Sequence, residues 1–160
     1  MDRIETRLNE LGFQLPPEPK VPPGVRIPFE WVRVRRPRAV ISGHGALSAD
    51  GTPQGPFGSV PSQVSIEEAQ ASARLAVVSM LASLKRADLS LEGVTWLTVG
   101  GFVNADPGYP LTTIVLNAAS ELLLDLYGDD AGAHARTAPG VSALPFNLPV
   151  VISAEVELDV

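Results

Sequence analysis

The stretch from Ser65 to Leu84 constrains the fold more than any other part of the chain. Ser65 and Glu68 have the spacing of a capping box, and Ile66, Ala69, Ala73, Val77, Met80, Leu81 and Leu84 then recur at helical intervals. A helix with one such apolar stripe must bury it against another layer. The layer is supplied nearby: "VTWLTVGGFVNAD" reads as a buried strand, and its Gly pair marks a bulge or a close backbone approach. A second helix is expected from about Pro110 to Tyr127. Leu111, Val115, Ala119, Leu122 and Leu126 share one of its faces, and Gly128 lies beyond its end.

Strands flank these elements. "WVRVRRPRAVIS" alternates apolar and basic residues around a proline, as two strands joined by a turn would. "APGVSALP" and "VVISAEVELDV" read as closing strands, and "GHGALSADGTPQGPFGS" as a Gly/Pro loop. The order is strand pair, helix, strand, helix, strand pair. It predicts an α+β layer: a mixed sheet with both helices on one face. The other face then needs cover, and copies of the same chain are the simplest source. Ahead of this core, Asp2 caps a short helix in which Ile4, Leu8 and Leu11 share a face and Gly12 stops the run. "QLPPEPKVPPGVRIP" follows as an extended proline-rich arm. Residues 1–160 thus read as one domain, with 1–27 as its helix and arm.

Composition removes several functional classes. A net charge of −6 argues against nucleic-acid or anionic-membrane partners. With no cysteine there is no disulfide, no thiolate chemistry and no Cys-based zinc site. The charged start "MDRIETRLNELGF" has no signal-peptide core, and no apolar run is long enough for a membrane span, so a cytoplasmic location is expected. "GHGALS" has Ser48 where a nucleotide loop needs glycine and stands far ahead of the helix. His44 and His134, the two histidines, lack helical i, i+4 partners, so no metal and no cofactor are expected. The basic run "RVRRPR" (Arg33, Arg35, Arg36, Arg38) reads as a solvated hairpin, since no aromatic residues interleave with it as a stacking platform for RNA.

One residue stands out. Arg136, in "HARTAPGVSALP", is an arginine in small, apolar surroundings, a setting that suits an anion supplied from outside. The plain alternative is a surface pair with Glu155 or Asp129.

"HARTAPGVSALP" resembles the "PARSxVxVxxLP" signature of the RidA/YjgF family of reactive-intermediate deaminases. "VISGHGALSADG" is similar to the family's "SGQ-P" strand and loop, and "GGFVNADPGYPLTTIVLNAASELL" to its central strand and second helix. The resemblance covers roughly residues 28 to 160. It implies a chorismate-mutase-like α+β fold, a homotrimer with clefts between subunits, and hydrolysis of 2-imino or 2-enamino acids to 2-oxo acids and ammonia. Endoribonuclease and translation inhibitor are older labels of the family.

By the same resemblance, Arg136 is the clamp for a substrate carboxylate and Gly43 offers its carbonyl to the imine nitrogen. Asn117 stands near the cleft, with helix packing an equally good reading of it. Three positions depart from the pattern. The family's first-strand tyrosine is Phe29 here, or Pro28 if the turn at Pro37 adds a residue. The small polar position after the arginine is Ala138. The glutamate that positions water is Val151, and its usually acidic neighbour two residues on is Ser153. Two readings remain open. One is a trimer that binds a small carboxylate and deaminates imines, with His44 in place of the glutamate; the other is a non-catalytic binding or interaction protein on the same scaffold. RNA cleavage ranks third.

Overall fold

The computed structural model describes residues 1–159. Helix α2 (Ile66–Arg86) begins at the expected capping box: Ser65 Oγ accepts from Glu68 N at 3.1 Å, and Glu68 Oε1 accepts from Ser65 N at 3.3 Å. Its stripe from Ala69 to Leu84 is fully buried. The other long helix, α3 (Thr112–Ala131), starts two residues later than its pattern suggests, so Leu111 is the N-cap residue and stays exposed. The helix is interrupted at Gly128, whose φ of +81° is a left-handed value that glycine adopts without steric cost. The expected end at Tyr127 is therefore a real break, followed by one further turn.

The strands are β1 (Val32–Arg35), β2 (Arg38–His44), β3 (Val94–Asn104), β4 (Ala135–Thr137), β5 (Gly140–Val141) and β6 (Val150–Leu158). They form one mixed sheet in the order β1-β2-β6-β3-β4, with β5 also paired to β3. β6 runs antiparallel between β2 and β3, whereas β4 and β5 run parallel to β3. The strand expected across "APGVSALP" is mostly irregular. Pro139 and Pro145 have no N–H for a ladder, and only Gly140–Val141 pairs.

Both long helices lie on one face of the sheet. Gly101 of β3 makes this close: a Cβ there would stand 2.6 Å from Leu116 Cγ of α3. The short helix α1 (Arg3–Glu10) joins the same layer, burying Ile4 and Leu8 while Arg7 binds Asp125 of α3 at 2.8 Å. Leu11 is its C-cap and exposed, so it does not extend the buried face as the pattern suggested.

Among the described residues no layer covers the opposite sheet face. A Cβ on Gly100 would meet Ser153 Oγ at 3.2 Å and Thr137 Oγ1 at 3.9 Å, which places those residues on this side. Val40, 51% exposed, shares the region with an Arg38–Glu155 ion pair of 2.8 Å. The face is mixed in chemistry, with a shallow depression of about 410 Å³.

Candidate functional site

Arg136 sits in the middle of β4, opposite Val99 of β3. Its neighbour Thr137 faces the open side, so strand alternation sends Arg136 toward the helices. There its guanidinium meets a polar row on α3: Nη1 donates to Ser120 Oγ at 2.9 Å, and Nη2 to Asn117 Oδ1 at 3.0 Å and Thr113 O at 3.5 Å. Thr113, Asn117 and Ser120 share a helix face through i, i+4 and i+3 steps. No carboxylate among the described residues lies within ion-pair distance of it. Glu155 is engaged by Arg38 instead. Burial lowers the Arg136 pKa from its ordinary value, and no acidic group offsets the cost. The surface-pair alternative does not hold.

A relay steadies the guanidinium. Ser120 Oγ, having accepted from Arg136, is 2.8 Å from His134 Nε2, and His134 Nδ1 is 2.7 Å from Gly132 O. A carbonyl can only accept, so Nδ1 is the donor in that bond. His44 repeats the pattern: Arg86 Nη2 donates to Ser83 Oγ at 2.8 Å, Ser83 Oγ lies 2.7 Å from His44 Nε2, and His44 Nδ1 lies 2.6 Å from Ser42 O. In each case the carbonyl belongs to the residue two before the histidine.

His44 is thereby a buried, satisfied ring. Burial, with help from the Arg86 charge, pulls its pKa from 6.5 to about 4. Both nitrogens are engaged, so the expectation that His44 takes over a base role fails on geometry. The ring does line a pocket of about 340 Å³ together with Gly43, Phe29, Trp31, Phe146 and Val151. Phe29 stands edge-on to Trp31 at 5.2 Å, and Trp31 lies 5.2 Å from the His44 ring. A Cβ on Gly43 would be 3.0 Å from Val151 Cγ1, so these two positions share one floor.

The candidate residues thus fall into two groups. Arg136 and Asn117 lie at the β4 edge; Gly43, His44, Phe29 and Val151 lie toward the β2 side. β2 and β4 are three strand steps apart, roughly 14 Å at about 4.8 Å per step. Ala138, expected to face a ligand, lines neither pocket and packs against the core; its small apolar side chain fits between layers. Pro28 is exposed and takes no part in the pocket. Sequence reasoning missed Ser120, His134, Trp31 and Phe146. The polar row within an apolar α3 was a usable signal for Ser120; nothing in "LPFNLP" marked Phe146.

Known proteins share this architecture. A crystal structure of Atu1372 from Agrobacterium tumefaciens, of unknown function, is 34% identical with a TM-score of 0.87, over 99% of this chain and 94% of that one. A Shewanella oneidensis protein, provisionally named an endoribonuclease, is 25% identical with a TM-score of 0.83, over 98% of this chain and all of that one (100%). Protein TCP17 of Trypanosoma cruzi is 34% identical over 103 residues, which is 64% of this chain and 64% of that protein. No protein-family model matches the sequence. The endoribonuclease name recurs among solved structures of this architecture. The fold is that of the RidA/YjgF family.

Set against the RidA pattern, Val151 takes on meaning. On β6 it pairs with Phe102 of β3 and lines the apolar pocket, so a hydrocarbon stands where the resemblance to that family places a glutamate. Ser153 lines the open-face depression with Glu155. Among the described residues no cluster of three His, Cys, Asp or Glu side chains could hold a metal, and no helix is long and apolar enough to cross a membrane.

Proposed function

We propose that this RidA-family chain assembles as a homotrimer and binds a 2-oxo or 2-imino acid in clefts between subunits, its carboxylate held by Arg136. The observation that carries the reading is the guanidinium itself. It is half-buried, fixed by Asn117 and Ser120, and faces no protein carboxylate. Such a fork is preorganised for a planar, two-oxygen anion. Gly43 lies three strand steps from β4 in the same chain, too far to touch that anion, which supports a cleft completed by a second copy. The uncovered sheet face provides a surface for assembly.

Binding is favoured over turnover. With Val151 at the glutamate position and both His44 nitrogens engaged, the described residues that line the pocket around Gly43 offer no carboxylate or free imidazole to activate water. General acid–base assistance is typically worth about 10² to 10⁴ in rate, so imine hydrolysis is expected to be slow. Sedimentation velocity and calorimetric titration with 2-oxobutyrate test the proposal together. A trimer that binds the acid supports it; a monomer of 16.9 kDa that binds none refutes it.

A further inference from the structure

The pocket that holds Gly43 and Val151 is larger and more apolar than a two- or three-carbon substituent needs. Its volume of about 340 Å³ lies within the range of sites that enclose drug-sized ligands, about 300–1,000 Å³. Aromatic rings from two separate segments line it: Phe29 and Trp31 just ahead of β1, and Phe146 from the turn before β6.

Phe146 is held with unusual determination. Its φ is +57°, and Asn147 beside it has φ +56°, a left-handed conformation that bulky residues rarely adopt. Such conformations persist where the surroundings enforce them and tend to cluster at ligand sites. The enforcing group is Asn104, a buried side chain whose Nδ2 donates to Asn147 Oδ1 and Leu148 O, both at 3.3 Å. Yet Phe146 itself remains 46% exposed, so the core does not account for its placement.

The remaining wall comes from the proline-rich arm. Val21, Val25 and Ile27 face the same space. The arm is tied down on both sides of the first long helix: Lys20 N donates to Gly51 O at 2.9 Å, and Arg86 Nη1 to Pro16 O at 3.1 Å. The one titratable ring in the wall, His44, has no free nitrogen, and although Lys20 and Arg26 also line the space, apolar side chains make up most of the wall, which suits it to an aryl group.

We infer that this arm-walled pocket receives the side chain of the acid, and that the acids bound are those bearing an aryl group, phenyl or indolyl, on the carbon beyond the 2-oxo or 2-imino centre. The inference rests on the proposed function, because Arg136 must hold the carboxylate while Gly43 faces the 2-oxo or 2-imino group. An aromatic ring meets edge and face partners in Phe29, Trp31 and Phe146. A methyl or ethyl group leaves most of the space unfilled and gains little.

Calorimetry on the assembled wild-type protein provides the test, with 2-oxobutyrate and phenylpyruvate as paired ligands. Phenylpyruvate is expected to bind at least tenfold more tightly, from burial of its ring. Phe146→Ala, at a half-exposed position that a folded chain tolerates, is expected to shrink that preference severalfold by weakening phenylpyruvate far more than 2-oxobutyrate. Val25→Asp, on the exposed arm, is expected to act in the same direction. Equal affinities for the two acids overturn the inference, as does a structure of the assembly in which a neighbouring copy's side chain fills the pocket. Arg136→Ala separates the two layers of reasoning. If it weakens both acids and keeps their ratio, pocket and clamp both stand. If the ratio persists and neither acid is weakened, the pocket stands and the carboxylate clamp falls.

Discussion

Replacing Arg136 by methionine is expected to separate stability from binding. In the free protein the guanidinium donates to Ser120 Oγ, Asn117 Oδ1 and Thr113 O, but burial works against its charge and no carboxylate compensates. Methionine keeps most of the apolar stem and removes the charge, and the freed acceptors on α3 are half-buried or exposed and remain within reach of water. The net change in folding free energy is expected to stay within about 1 kcal/mol, in either direction. Binding is a different matter. A carboxylate held by two charge-assisted hydrogen bonds draws about 1.5–3 kcal/mol from each, so losing the fork should weaken 2-oxo acids by far more than tenfold. The assay is paired: urea unfolding for stability, and calorimetry with 2-oxobutyrate for affinity. A stability loss of several kcal/mol would make Arg136 a structural strut. Unchanged affinity would remove it from the site altogether.

Other outcomes follow from the same geometry. His44 has a folded-state pKa of about 4 against an ordinary 6.5, so the unfolded chain takes up a proton first as pH falls. Stability should be full above about pH 6.5 and decline by about 3 kcal/mol toward pH 4; urea unfolding at pH 7.5 and 5.0 should show the decline in wild type and a flatter profile in His44→Gln. Gly101→Ala drives a Cβ into Leu116 and should cost about 1–3 kcal/mol, read by thermal unfolding. Ser120→Ala breaks the relay from His134 to Arg136 and is expected to weaken 2-oxobutyrate binding severalfold in calorimetry, with little change in melting temperature. Val151→Glu places a carboxylate beside Gly43, with a pKa raised by its apolar neighbours; ammonia release from 2-iminobutyrate generated in situ should rise at least about tenfold over a slow wild type.

Local rules made the scaffold legible. The Ser65–Glu68 box, the buried stripe of α2 and the break at Gly128 all follow from spacing and backbone chemistry within a few residues. The edges failed where prolines intervene. Pro139 and Pro145 dissolve what alternation presents as one strand, and the chain before Thr112 delays α3 so that Leu111 stays outside. The candidate site drew attention through its odd residue, Arg136, because an arginine among small apolar neighbours is unusual. Its partners were not. The bond from Arg136 to Ser120 spans sixteen residues, and the one from Arg86 through Ser83 to His44 joins a helix to a strand far away in sequence. No periodicity encodes such contacts. The arm-walled pocket is hidden for the same reason, since Val25, Trp31 and Phe146 meet only after the sheet has formed.

The central claim is that one acid lies between Arg136 of one copy and the Gly43 pocket of another. A crystal structure of the wild-type protein grown with phenylpyruvate tests it most directly. The account predicts density for the acid with its carboxylate on the Arg136 guanidinium, its oxo carbon facing Gly43 O of an adjoining subunit, and its ring among Phe29, Trp31 and Phe146. Acid bound away from Arg136, or seated on Arg136 with no adjoining copy to complete the pocket, would contradict it.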